Sequence, residues 1–172
     1  IIKNSPPANS MGLKEVTGVI DGEIQYQGLS TVNSSTKIAL FVHGLMGSPK
    51  IWNEIIPVMM EDHPELGYDK YWTFAYNSSH SIYYNAGLLR DYLESNANGA
   101  EIDLIGHSMG GLVLRSFIEE YSGNNYTINR LVTIGTPHLG SPIAALRLYL
   151  GILMQLIDTD VIGYFAFNYY TQ

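Results

Sequence analysis

The residues best equipped for chemistry are Gly106, His107, Ser108, Met109 and Gly110, in the pattern G-x-S-x-G. A serine hydroxyl at the apex of a tight strand-to-helix turn stands clear of a sheet and can act as a nucleophile. The positions two before and two after it must be small, because Cβ atoms there would meet the neighbouring strand or helix. A helix that begins just after the serine aims its free N–H groups, Met109 first, at the place where negative charge develops in acyl transfer. Three fixed positions say little alone. The flanks strengthen them: Ile102-Asp103-Leu104-Ile105 reads as a short apolar strand and residues 112–121 as a helix, in the order the turn requires.

These residues need a sheet to hold them. Lys37-Ile38-Ala39-Leu40-Phe41-Val42 is a continuous apolar run, the mark of a strand buried on both faces of a parallel sheet, and it leads into His43-Gly44-Leu45-Met46-Gly47. Residues 71–76 and 130–135 read as further buried strands. Between them, Ser48-Pro49 starts a helix carrying Ile51, Trp52, Ile55 and Ile56, which Pro57 kinks or ends. A longer helix spans 81–97 with Ile82, Leu88, Leu89, Tyr92 and Leu93 on its apolar side, closed by Asn98-Gly99. Strands alternating with helices predict a mostly parallel α/β sheet with helices on both faces. An antiparallel hairpin at the sheet edge precedes it, residues 16–20 and 23–26 about Asp21-Gly22, a pair that tolerates the positive φ of a two-residue turn.

With 172 residues, 46% of them hydrophobic, the chain suits a single domain with a sizeable core. Residues 1–12 read as a polar, Pro-containing arm. Residues 142–172 differ from the rest: 142–157 are apolar nearly all round and 161–170 aromatic-rich, which fits a core or subunit-contact helix, a lid near the site, or self-association through 142–170. A net charge of −7 without a Lys/Arg cluster argues against nucleic acid or an anionic membrane surface as partner. The absence of cysteine excludes disulfides, thiol catalysis and thiolate zinc sites. No 18-residue apolar run predicts a membrane span, and no motif implies a metal or organic cofactor. The first residue is Ile and no basic-then-apolar leader precedes it, so a processed secreted or envelope protein is expected, with a cytoplasmic one as the alternative. Asn33-Ser34-Ser35, Asn77-Ser78-Ser79 and Asn125-Tyr126-Thr127 fit the glycosylation pattern, a common match in an Asn- and Ser-rich chain.

In a parallel sheet, ligands collect beyond the carboxyl ends of the strands, where both 43–45 and Ser108 fall. The backbone N–H groups of Leu45 and Met109 are therefore candidates for an oxyanion hole. Three blocks taken together, Val42-His43-Gly44-Leu45-Met46-Gly47, Gly106-His107-Ser108-Met109-Gly110-Gly111 and Gly135-Thr136-Pro137-His138-Leu139-Gly140-Ser141, resemble the α/β-hydrolase superfamily, in particular its bacterial lipases and esterases of the triacylglycerol lipase type. The likeness covers residues 37–141. It implies that the first block is an oxyanion-hole loop, the second a nucleophile elbow around Ser108, and the third the segment closing the next strand. On this likeness His43, Gly44, Gly106 and Gly110 shape the motifs and His138 shapes its loop.

The family runs Ser, then Asp or Glu, then His along the chain. Here no histidine follows His138, and Asp158 and Asp160, the only carboxylates after the helix that follows Ser108, lie in or beside the apolar segment. His107 directly precedes Ser108, so its ring is expected to project away from the hydroxyl and to pack; His63 and His80 lie in polar stretches and are expected to be solvated. Neither the triad acid nor its histidine is identifiable. The family also places further strands after 130–135, so the expectation is the N-terminal part of a longer hydrolase. The expected activity is that of a serine carboxylic-ester hydrolase acting on acyl esters or lipids through an acyl-serine. The alternatives are an acyltransferase or thioesterase on the same scaffold, or a non-catalytic binding module that lacks the base.

Overall fold

The computed structural model describes residues 11–21, 23–121 and 125–140. The chain divides into two compact units, one of residues 5–136 and one of residues 1–4 with 137–172. In the second unit only 137–140 are described, a turn in which Gly140 N–H donates to the Pro137 carbonyl at 3.0 Å. The lid and self-association segment, and residues 1–10 of the arm, lie outside the described residues.

The described residues of the first unit form six strands: β1 (Gly12–Ile20), β2 (Glu23–Gln27), β3 (Lys37–Val42), β4 (Lys70–Ala75), β5 (Glu101–His107) and β6 (Thr127–Ile134). They lie in the order β2-β1-β4-β3-β5-β6. The hairpin β1–β2 is antiparallel, β1 joins β4 antiparallel, and β3, β4, β5 and β6 run parallel. The hairpin turns at Asp21, whose φ of 51° is the left-handed value expected of that pair. It is longer than the sequence pattern: Gly12, placed in the arm, already pairs with Ala75.

Among the described residues the α-helices are α1 (Ile55–Glu61), α2 (Ile82–Asn96) and α3 (Met109–Tyr121), α1 on one face of the sheet and α2 and α3 on the other. Because side chains alternate along a strand, β3 sends Ile38, Leu40 and Val42 to one core with Leu89 and Leu93 of α2 and Val113, Leu114 and Phe117 of α3. Ala39 and Phe41 go to a second core with Trp52, Ile56 of α1 and Ile105. Ile38 to Val42 are fully buried, as the continuous apolar run demands.

Two expectations change in detail. Pro57 neither ends nor kinks a helix running from Pro49: a 3₁₀ turn covers Pro49–Trp52, the chain breaks at Asn53 and Glu54, and Pro57 sits in the first turn of α1. A proline costs nothing there, since first-turn N–H groups have no intrahelical partner. Ser48 precedes the 3₁₀ turn without a side-chain capping bond, whereas Ser81 caps α2 by accepting from Tyr84 N–H at 3.1 Å. Strand β6 is not buried on both faces. Among the described residues it is the sheet edge, and Val132 and Ile134 are 46% and 41% exposed.

This topology singles out one place. The chain leaves β3 toward α1 on one face, while the neighbouring strand β5 hands on to α3 on the other. Loops that part in opposite directions from adjacent parallel strands open a crevice at the carboxyl ends. Residues 43–47 and Ser108 lie at that place, beyond the carboxyl ends of β3 and β5.

Candidate active site

Ser108 sits between β5 and α3 with φ of 52°, a left-handed value uncommon for a residue with a side chain. Two hydrogen bonds hold it there. Its N–H donates to the Ile134 carbonyl at the end of β6 (2.8 Å), and its own carbonyl accepts from Gly111 N–H (3.1 Å). The side chain is half-buried.

The glycines around it are small because other atoms occupy the space. A Cβ on Gly106 would lie 2.7 Å from the Gly111 backbone, where β5 and α3 touch. A Cβ on Gly110 would collide with the carbonyl oxygens of Val42 and His43, and one on Gly111 with the Thr136 hydroxyl. In the loop after β3, a Cβ on Gly44 would lie 2.9 Å from Ser108 Cβ. The first two blocks read in the sequence thus meet in space, and the third reaches them through Thr136.

The loop after β3 is a tight turn in which Gly47 N–H donates to the Gly44 carbonyl at 3.1 Å. Leu45 and Met46 are its corner residues, and Met46 has φ of 52°. A positive φ at the second corner with that hydrogen bond fits a type II turn. Met46 N–H is held by Ser78 Oγ at 2.9 Å. Leu45 N–H and Met109 N–H have no hydrogen-bond partner among the described residues, so both remain free to donate.

His43 is fully buried and acts as a strut. Its Nδ1 lies 2.8 Å from the Gly44 carbonyl and its Nε2 accepts from Tyr76 N–H at 3.3 Å. A carbonyl only accepts and an amide only donates, so Nδ1 carries the proton and the ring is neutral. The ring also stacks on Tyr76 at 4.4 Å, and Tyr76 Oη donates to the His43 carbonyl at 2.8 Å. Burial pushes the imidazole down from its ordinary 6.5 to about 4, with the Gly44 carbonyl opposing. Both nitrogens are engaged, so His43 is no proton acceptor for Ser108.

The other histidines fall in different places. His107 is exposed rather than packed, because the second core stops at Ile105; its Nδ1 lies beside Gly44. His80 is exposed beside the Tyr84 ring, His63 is exposed and 2.8 Å from Glu65, and His138 is exposed. The carboxylates inside the sheet are committed elsewhere: Asp103 accepts from Tyr68 Oη at 2.7 Å, and Glu15 is tied to Ser30 and Lys70. No cluster of His, Asp, Glu or Cys among the described residues could hold a metal ion. No helix among them is long and apolar enough to cross a membrane.

Three residues of this region carry no signal in the sequence pattern. Tyr76 braces His43, Ser78 holds Met46, and Asn85, buried in α2, donates to the carbonyls of Asn77 (3.1 Å) and His80 (3.4 Å). The partners of Tyr76 and Ser78 lie 33 and 32 positions away, a separation that leaves no local period to read.

The chain is similar to known proteins over part of its length. Over 52 residues it is 46% identical to triacylglycerol lipase 2 of Saccharomyces cerevisiae, a match covering 30% of this chain and 16% of the lipase. A solved lipase of Bacillus licheniformis in its mature form superposes with a TM-score of 0.51 and 24% identity, over 70% of this chain and 49% of that one. A structure reported among carboxylesterases of the thaumarchaeon Nitrososphaera gargenis superposes with a TM-score of 0.54 and 17% identity, over 84% of this chain and 49% of that one. The chain thus spans about half the length of these two structures and less of the yeast lipase. These likenesses show the fold, an α/β-hydrolase sheet that is mostly parallel with an antiparallel hairpin. One family model, described as a domain of unknown function, matches residues 21–159.

Proposed function

The chain belongs to that family, DUF7379, and from the geometry of Ser108 we propose that it carries the nucleophile of a serine carboxylic-ester hydrolase acting on acyl esters. One observation carries the reading: Ser108 is held at a strained turn against Gly44, with the unpartnered N–H groups of Leu45 and Met109 on the two loops that meet there. A positive φ at a serine has a cost, and such strain gathers where it serves a site. The lipase and carboxylesterase among its structural relatives support the same substrate class.

In this reading Ser108 Oγ attacks the acyl carbonyl carbon and gives up its proton to a histidine. The carbonyl oxygen becomes an oxyanion that accepts from Leu45 N–H and Met109 N–H, at the N-terminus of α3. Collapse expels the alcohol, which takes the proton, and leaves an acyl-serine; water then releases the acid by the same steps. The histidine is not His43, and none of the undescribed residues of this sequence is a histidine, so we assign it and its carboxylate to a part of the protein beyond these 172 residues.

The test is a fluorophosphonate probe on the full-length protein, which reacts with a serine only when a base activates it. The expected result is one adduct, on Ser108, absent in Ser108→Ala, with ester turnover falling by at least about a thousandfold in that variant. Acyl transfer to an added alcohol in preference to water would move the assignment to an acyltransferase. Neither label nor turnover in the wild-type protein would overturn it, and ligand binding that survives Ser108→Ala would then favour a binding module.

A further inference from the structure

The loop between β4 and α2 reaches across to the loop after β3 at two points: Tyr76 braces His43, and farther along Ser78 Oγ accepts from Met46 N–H at 2.9 Å. The donor is in an uncomfortable state. Met46 has φ of 52° and its side chain is 46% exposed, so no packing into the core explains the left-handed backbone. A turn of the same residues with the central peptide rotated, the type I form, would avoid that φ. Rotation would withdraw Met46 N–H from Ser78 and present the Leu45 carbonyl, to which a hydroxyl can only donate, so the bond described exists only in the form seen here. It ties the two loops together through that turn.

Ser78 is itself held in place. Asn77 Oδ1 accepts from Ser79 N–H (2.9 Å) and Ser79 Oγ (2.7 Å), and the Asn77 carbonyl accepts from His80 N–H (3.2 Å) and from the fully buried Asn85 of α2 (3.1 Å). A side chain fixed in the core therefore sets the loop, and the loop sets the turn. On the other side the turn abuts the nucleophile, because Gly44 leaves no room for a Cβ beside Ser108.

We propose that Ser78 is a positioning residue of the site: by tethering the turn at Met46 N–H, it fixes against Ser108 the loop that carries Leu45 N–H. The proposal rests on the hydrolase reading above. It assigns Ser78 no contact with substrate. Its loss should be felt in the transition state, where the oxyanion needs its donor, and little in ground-state binding.

The experiment compares wild type, Ser78→Ala, Ser78→Thr and the double variant Ser78→Ala with Met46→Asn, all in the full-length protein. It measures kcat and KM on a short p-nitrophenyl acyl ester, the rate of fluorophosphonate labelling, and amide exchange at Met46. Ser78→Ala should lower kcat and the labelling rate about tenfold, with KM within about twofold, and Met46 N–H should lose protection. Threonine keeps a hydroxyl and should restore most of the rate. Asparagine tolerates the left-handed region, so Met46→Asn should recover part of what Ser78→Ala loses. An active wild type whose kcat is indifferent to Ser78→Ala would overturn the proposal and leave the hydrolase reading standing, as would a loss confined to KM. A wild type that neither labels nor turns over would overturn both.

Discussion

At the scale of the residue, His43 shows how a functional-looking group can be wholly structural. Its pattern position, next to a glycine at the end of a buried strand, invites a catalytic role, yet both ring nitrogens are spent on backbone partners. This has a measurable signature. The unfolded chain binds a proton on His43 below about pH 6.5, whereas the folded protein resists until about 4. Stability from this source is complete above 6.5 and falls as pH drops through that window, by about 1.4 kcal/mol per unit and roughly 3 kcal/mol in all. Urea unfolding at pH 7, 6 and 5 should show that slope, and His43→Gln, though less stable at pH 7, should remove it. Equal slopes in the two proteins would refute a buried neutral imidazole. That His43 lies at the end of a buried strand, beside the turn it contacts, was legible from the block it sits in. Its charge state was not, because that depends on Tyr76, whose N–H and ring meet it from another strand.

At the scale of the element, the strand-turn-helix of β5 and α3 was readable because each part obeys a local rule: a short apolar strand, small residues at fixed offsets, then helical spacing. Contact among the blocks depends on which strands are neighbours, and the parallel pairing of β3 with β5 puts Val42 opposite Gly106. Two glycines on two helices separate close approach from mere flexibility. Gly110→Ala would drive a methyl group into the Val42 and His43 carbonyl oxygens, which β3 holds rigidly, and should cost at least about 3 kcal/mol. Gly87→Ala in α2 meets only the Tyr121 ring, at 3.7 Å, and should gain about 0.5 to 1 kcal/mol through helix propensity. Thermal unfolding of the two variants beside wild type checks both signs. Similar losses in the two would mean that neither glycine is there for the packing described.

At the scale of the whole sheet, the N-terminal hairpin is joined to the parallel strands by a polar junction. Glu15 of β1 accepts from Ser30 N–H (2.9 Å), the Ser30 hydroxyl and Gln27 Nε2 (3.2 Å), and pairs with Lys70 of β4 at 3.3 Å; the two charged side chains are 10% and 15% exposed. Lys70 also contacts the Ser30 hydroxyl. Burial alone would raise the Glu15 carboxyl, but Ser30 and Lys70 outweigh it and hold it below its ordinary 4.5. Glu15→Gln leaves Lys70 without its counter-charge and should cost about 3 kcal/mol at pH 7, a gap that narrows as acid protonates the wild-type carboxyl. Urea unfolding of the variant at pH 7 and pH 4 tests this; a gap under about 0.5 kcal/mol at pH 7 would mean the junction is ornamental. A charged pair fifty-five positions apart has no period to betray it, and the sequence pattern placed only the hairpin. Strand β6 departs from its pattern for a related reason: Leu131, Val132 and Ile134 read as core, but among the described residues β6 is the edge of the sheet and is only partly covered, Ile128 and Leu131 packing beside α3.

The strand order bears on how the protein is made. A ribosome delivers the chain from its N-terminus, so β3 emerges with β4 soon after it, while β5, which covers the other edge of β3, comes about sixty residues behind. Until residue 107 has left the exit tunnel, one side of Lys37–Val42 is an apolar strand with unpaired N–H and C=O groups, the surface on which nascent chains cling to each other. Nascent chains stalled with residues 76 to 100 the last to have left the tunnel should therefore need a holding chaperone, and the need should drop once β5 has emerged and can zip in.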